Sequence, residues 1–301
     1  MVTKQERRAE AFVLGSAAIG GGFPIIANQA VRVFPAFAFA GMSAVVGACS
    51  HLLLLLGGRT QLPRISRQMW VDLMGVALCN SVFALVFIFL GTQYTSGINT
   101  ALLMQSEMLF SFLVFTFLFG ERAAKKEYAG AFLVFLGTVC ILYNGSFAFN
   151  RGDLLIILGT VFYPFGNRFA KRALLHLPAS FILMFRCAVS AVVFLTLSVL
   201  FGDFSLRVLP AARTYWWLIV LYGVVVLVGS NLCWYRGLRA LSLTKAVSII
   251  LSSPVFSLLF AAVFLKEIPT MYQIIGFVVT LAGLSVLISR RPLPPLPPDL
   301  V

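Results

Sequence analysis

Charge is what this sequence has least of. Of its 301 residues, 11% are Asp, Glu, Lys or Arg, and only 10 are acids; a soluble domain carries about 25% charged residues. With 60% hydrophobic residues and a mean hydropathy of +0.97, too little polar surface exists to cover a soluble globule. Lipid must therefore solvate most side chains, and the expected fold is an all-α membrane protein. Histidine is nearly absent too, with two residues, and no H-E-x-x-H, no paired intramembrane aspartates and no G-x-x-x-x-G-K-[ST] loop is present. An enzyme and an ATP-driven machine are both excluded on that reading, and no cofactor is expected. The five cysteines (Cys49, Cys79, Cys140, Cys187, Cys233) all lie inside apolar runs, at no metal-ligand spacing. They read as small hydrophobes, with neither a disulfide framework nor a metal site.

Long apolar runs are what the chain does have. A spanning helix needs about 20 mostly apolar residues. Ten segments qualify: 10–30, 33–56, 69–91, 95–119, 127–148, 152–173, 178–201, 213–235, 241–265 and 270–289, numbered helices 1 to 10 below. The connectors are short and no soluble effector domain fits between them. The apolar stretch after "MVTKQERRAE" is too long for a signal peptide and reads as a first span. The tail "RRPLPPLPPDLV" is too proline-rich to be helical and is expected to be extended.

The net charge of +13 would suggest nucleic acid in a soluble protein; here it marks the loops of one membrane side. With the N-terminus inside, 17 of the 23 Lys and Arg fall on the cytoplasmic side. Outside lie Arg32, Arg151, Arg207, Arg213 and Lys266, while Arg186 is within a span. Both termini are thus expected in the cytoplasm, with the lipid bilayer and no nucleic acid as partner.

The chain also repeats itself. "GERAAKKEYAG" (120–130) and "LKEIPTMYQIIG" (265–276) place Glu121 and Glu267, and again Gly130 and Gly276, 146 residues apart. At the same offset Gly91 meets Gly237, Phe110 meets Phe256, Ser111 meets Ser257, Leu113 meets Leu259 and Gly137 meets Gly283. Five helices per unit is an odd number, so the second copy enters the membrane upside down. The loop charges agree: Arg122, Lys125 and Lys126 crowd the first copy of the loop, and only Lys266 remains in the second. An inverted repeat of this kind is the architecture of secondary transporters, with the substrate site near midplane between the halves.

Segments 97–142 and 234–287 resemble the two EamA repeats of the drug/metabolite transporter superfamily. The resemblance implies a 5+5 inverted repeat of ten helices around a central cavity lined by helices 1, 3, 4, 6, 8 and 9. It divides the chain into a first repeat at 1–150, a second, inverted repeat at 151–289 and a proline-rich cytoplasmic tail at 290–301. It says little of substrate, because family members carry amino acids, nucleotide sugars, vitamins and other metabolites. The first repeat often has Glu-Pro where this chain has Glu107-Met108. The proline survives only as Pro254 of the second repeat, which leaves helix 4 without the residue that would kink it.

Candidate site residues follow from the polar groups inside spans. Helix 1 reads "GGGFP" (20–24) and helix 6 "YPFGN" (163–167). Gly and Pro weaken a helix interior by about 1 and 3 kcal/mol, so Gly22, Pro24, Pro164 and Gly166 are helix-break and gating candidates; close packing through small residues is the other reading. Glu107 is an acid deep in helix 4, where a charge is unfavourable by about 2.5–3.5 kcal/mol. It has to face the protein interior, on one stripe with Thr100, Met104 and Ser111, and is the proton-coupling candidate. Substrate-binding candidates are Asn28, Asn80, Gln105, Glu107, Tyr163, Asn167, Asn231, Tyr235 and Ser253. Interhelical bonding is the competing role for each of them. Arg186 reads as structural or as snorkelling toward the cytoplasmic interface, and His51 as an interfacial histidine.

The expected function is secondary active transport of a small organic metabolite, an amino acid or similar, with export by alternating access and possible proton coupling. A passive or exchange carrier or channel is the alternative, and a non-transporting scaffold the next. A bacterial inner membrane is the expected location, and a monomer or homodimer the expected assembly.

Overall fold

Runs free of glycine pairs and proline form unbroken rods. Helix 2 (Ala36–Gly57) and helix 7 (Ala179–Leu200) have 22 residues each, about 33 Å at 1.5 Å per residue, enough for the hydrocarbon core. Helix 5 (Lys125–Tyr143) and helix 10 (Met271–Ile288) are likewise continuous. The structure, a computed structural model, describes residues 4–57, 65–120, 123–143, 145, 150–202, 208–238, 241, 249–250 and 252–288. Among the described residues all regular structure is helical and falls into the ten expected segments. The proline-rich tail at 290–301 lies outside the described residues, as does Glu121.

Seven segments are long and apolar enough to cross a membrane by length and composition. Helices 9 and 10 supply shorter apolar helices, Ser253–Leu265 and Met271–Leu287. Helix 6 is split into Arg151–Thr160 and Tyr163–Ala173, and its second piece carries Arg168, Lys171 and Arg172. Leu53, Phe117, Val192 and Val263 stand exposed on the outer faces. In water such a surface would drive association; in lipid it is the stable arrangement.

The repeat is written into the contacts. A carbon added to Gly130 would sit 2.9 Å from the Gly283 carbonyl oxygen, and one on Gly137 would sit 2.6 Å from that of Gly276. Gly276 and Gly283 are the 146-residue counterparts of Gly130 and Gly137. Helices 5 and 10 therefore meet through exchanged copies of one contact, the mark of a two-fold axis. The other helices obey the same axis. On one side of the axis, a carbon added to Gly159 on helix 6 would approach the Ala84 carbonyl of helix 3 to 2.8 Å. On the other, Ser16 on helix 1 donates to the Ser230 carbonyl of helix 8 at 2.8 Å, and Ser230 lies 146 residues after Ala84.

Local backbone irregularities repeat as well. π-Helical turns occupy Ala77–Phe83 in helix 3 and Leu221–Ser230 in helix 8, then Val114–Leu118 in helix 4 and Ala261–Leu265 in helix 9. Such turns are rare and concentrate at functional places. At the starts of helices 5 and 10, Glu127 accepts from the Ala124 N–H at 2.7 Å and Gln273 from the Thr270 N–H at 2.8 Å. These are equivalent caps on the orphan amides of a helix start.

Candidate functional site

Three rods are interrupted near their middles. Helix 1 breaks at Gly22, between Lys4–Gly21 and Phe23–Val31, with Pro24 in the first turn of the second piece. Helix 6 breaks at Val161 and Phe162, and Pro164 occupies the equivalent first turn. Proline suits such a turn because its missing N–H has no partner to lose there. Gly166 lies a turn beyond the break. It is a packing position: the Asn80 amide rests where its β-carbon would be. Gly21 plays the same part in helix 1, since a β-carbon there would come within 2.6 Å of the Ser253 carbonyl oxygen. Ser257 also donates to the Gly21 carbonyl at 2.8 Å.

Helix 4 breaks without a proline, between Gly97–Leu103 and Ser106–Leu113. Around Met104 and Gln105 the backbone tightens to three-residue bonds, Gln105 N–H to Leu102 O at 3.2 Å and Glu107 N–H to Met104 O at 3.2 Å. The stripe of Thr100, Met104, Glu107 and Ser111 thus crosses a break. Thr100 is buried and donates to the Ser96 carbonyl at 2.9 Å. Glu107 sits in the first turn of the second piece, where the helix dipole favours a negative charge.

The carboxylate is held by a side-chain relay. Asn167 on helix 6 donates its amide N–H to Glu107 Oε1 at 3.0 Å. Asn80 on the π-turn of helix 3 donates to Asn167 Oδ1 at 2.9 Å. Three candidates from three helices, and from both halves of the chain, therefore form one chain of bonds. Glu107 is half-buried and Asn167 exposed, so the relay is not sealed inside the packed core. Tyr163, one turn before Asn167, lies within electrostatic range of both Glu107 and Arg186.

Arg186 does not snorkel. Its Nε donates to Ser81 Oγ at 2.9 Å, turning the side chain into the bundle beside a cavity of about 40 Å³ lined by Ser81, Ser190, Tyr222 and Asn231. His51 is not interfacial either: it is fully buried, with Nε2 at 3.3 Å from the Leu227 carbonyl. That carbonyl, on the π-turn of helix 8, also accepts from Asn231 at 2.8 Å. Ser253 begins the helical piece Ser253–Phe260, facing Gly20 and Gly21. Gln105 lies at the break of helix 4, half-buried. The Tyr235 side chain lies outside the described residues.

Asn28 belongs to a different layer. It donates to the Thr95 carbonyl at 3.1 Å and accepts from Arg32 at 2.9 Å, at the end of the bundle where the halves are tied by polar groups. There Glu267 accepts from the Gly97 and Ile98 N–H groups at 3.2 and 3.0 Å, capping the start of helix 4, and stands 3.9 Å from Arg32. Asp153, buried, accepts from Thr95 and Asn99, and Gln273 donates to Asn99 at 2.6 Å. An open pocket of about 1020 Å³ at this end is lined by Arg32, Phe34, Gln93, Tyr94 and Phe201, and by none of the site candidates. Asp72, buried and paired with Arg172 near the opposite end, is a further group that sequence reasoning passed over. In a chain of 10 acids, each acid beside an apolar run was the available signal. Among the described residues no three His, Cys, Asp or Glu converge as metal ligands.

Comparison with known proteins agrees with this geometry. The model of the EamA-like transporter family matches residues 7–143 and again 150–289. An uncharacterized transporter of Bacillus subtilis, YetK, is 22% identical over 302 residues, covering 98% of this chain and 91% of that protein. A probable amino-acid metabolite efflux pump of Salmonella typhimurium is 26% identical over 225 residues, 71% of this chain and 75% of its own. An uncharacterized transporter of Synechocystis is 20% identical over 232 residues, 74% of this chain and 66% of that relative. A solved crystal structure shares the fold with a TM-score of 0.64 at 19% identity, over 93% of this chain and 97% of that one. The chain belongs to the EamA-like transporter family, as a multi-pass, all-α membrane protein.

Proposed function

We propose that the chain is a proton-coupled exporter of a small organic metabolite, an amino acid or close derivative, working by alternating access between its repeats 1–150 and 151–289. One observation carries the reading: an acid on a broken helix near midplane is held by an amide relay that reaches across both repeats. A carboxylate there has two ways to lose its desolvation cost, a proton or a cationic partner. Taking a proton from one solution and releasing it to the other couples transport to the pH gradient. The names of the Salmonella typhimurium and Escherichia coli relatives, probable amino-acid metabolite efflux pumps, support the substrate class.

The charge bias of the loops supports termini in the cytoplasm and a bacterial inner membrane. On that orientation the end tied by Glu267, Arg32, Asp153 and Gln273 faces outward, and its polar ties close the outer mouth. The test uses full-length protein in liposomes under an imposed pH gradient, with efflux of an amino-acid panel as readout. Wild type should move substrate against its gradient. Glu107→Gln should only equilibrate it, since an amide cannot exchange a proton. A mutant that pumps with the wild-type pH profile removes Glu107 from the coupling.

A further inference from the structure

Asn80 and Ser81 are neighbours in sequence, and on an α-helix neighbours diverge by about 100°. Here they share the π-turn Ala77–Phe83 of helix 3. The Asn80 arm runs through Asn167 to the Glu107 carboxylate. The Ser81 arm holds the Arg186 guanidinium by its Nε. One backbone irregularity thus fixes an acid and a base on either side of itself, in one layer of the bundle.

The two charges do not neutralise each other. Among the described residues the ion pairs are Arg32 with Glu267 and Arg172 with Asp72, so neither Arg186 nor Glu107 has a charged partner. Ser81 occupies only one of the five guanidinium N–H donors. The terminal nitrogens of Arg186 are not among the buried polar atoms that lack partners, so they open onto space. The adjoining cavity of about 40 Å³ has room for a few waters or one carboxylate group, and none for an amino-acid side chain. Tyr163 stands one turn before Asn167 on the same piece of helix 6.

We propose that Arg186 is the carboxylate-binding residue of the transport site, so that the substrate is held as a zwitterion between Arg186 and Glu107. This rests on the transport reading above and narrows it to compounds bearing both a carboxylate and an ammonium. A guanidinium offers a carboxylate two parallel N–H donors in a desolvated setting, where such bonds are at their strongest. The small cavity admits the carboxylate end first. The bulk of the substrate then lies toward Glu107, Tyr163 and the broken helices, where its side chain is chosen.

The test measures binding to the purified full-length protein by thermal shift and calorimetry, separately from flux. The probes are a panel of free L-amino acids, then the tightest binder as its methyl ester and as its N-acetyl derivative. Wild type should bind the free amino acid about tenfold or more tightly than either derivative, each of which lacks one charge. Arg186→Lys keeps a cation but loses the fork and the Ser81 bond, and should weaken the free acid while leaving the methyl ester unchanged. Equal binding of acid and ester by wild type overturns the proposal without any mutant. Equal binding of acid and N-acetyl derivative shows an anion site without the Glu107 arm and overturns it too. If no amino acid binds while another metabolite is pumped in a Glu107-dependent way, this inference fails and the transport reading stands.

Discussion

The two halves of the molecule agree in backbone and differ in chemistry. Both carry π-turns in their third and fourth helices and glycine contacts at equivalent places. Yet the position of Glu107 in the first half holds Ser253 in the second, 146 residues on, and the relay of Asn80 and Asn167 has no twin. The scaffold has kept its symmetry because packing demands it of both copies. The polar interior has lost it, because a second buried acid would add a desolvation cost with no second substrate charge to meet.

The symmetric part breaks first and hardest. Gly130→Leu and Gly276→Leu strike the helix 5–helix 10 seam at symmetry-equivalent points, each forcing a side chain into a backbone carbonyl 2.7–2.9 Å away. Overpacking costs about 1–3 kcal/mol where neighbours can give way, and more where the obstacle is backbone. Both variants should lose most of the folded protein, to a similar degree, by fluorescence size-exclusion after heating. Gly57→Leu, with nothing within 4 Å of its β-carbon, should be silent. A large difference between the first two would mean that the seam is not the symmetric contact described.

The asymmetric part should respond unevenly. Gly166→Ala drives a methyl group into the Asn80 amide, while in the other half Gly20→Ala meets Ser230 Oγ and Ser253 Oγ at ordinary distances of 3.6 and 3.7 Å. Gly166→Ala should cut transport by about tenfold or more, as misplacement of a site by 1 Å does elsewhere, with normal amounts of protein in the membrane. Gly20→Ala should transport nearly as wild type. Flux that survives Gly166→Ala would detach the Asn80 relay from function.

Much of this was legible in the sequence, for reasons that differ by feature. The ten segments follow from apolar run length, and the 146-residue register from glycines that packing cannot replace. Glu107 stood out because an acid there is unfavourable without a role. The break in helix 4 was hidden, because its cause is a local tightening at Met104 and Gln105 rather than a proline. Arg186 stayed open between a structural and a snorkelling role because depth along helix 7 says nothing of direction; the contact with Ser81 shows that it turns inward. Asn28 was assigned to the site by residue type, yet its bonds tie the bundle end.

The smallest expected effect separates packing from topology at a single residue. Gly120 ends the π-turn of helix 4 with φ of 67°, and its counterpart Lys266 ends that of helix 9 with φ of 56°. A left-handed residue is a common helix stop, and glycine adopts it without strain, whereas a side chain pays about 1–2 kcal/mol. Glycine also loses more freedom on folding, about 0.5–1 kcal/mol, so the two terms partly cancel. Lys266→Gly should therefore raise stability by up to about 1 kcal/mol, seen as a small upward shift in Tm of the purified protein. Gly120→Lys should lower it by a similar amount. If Tm falls in Lys266→Gly, the lysine makes a compensating interaction at that loop, and the two helix ends are equivalent in backbone but not in energy.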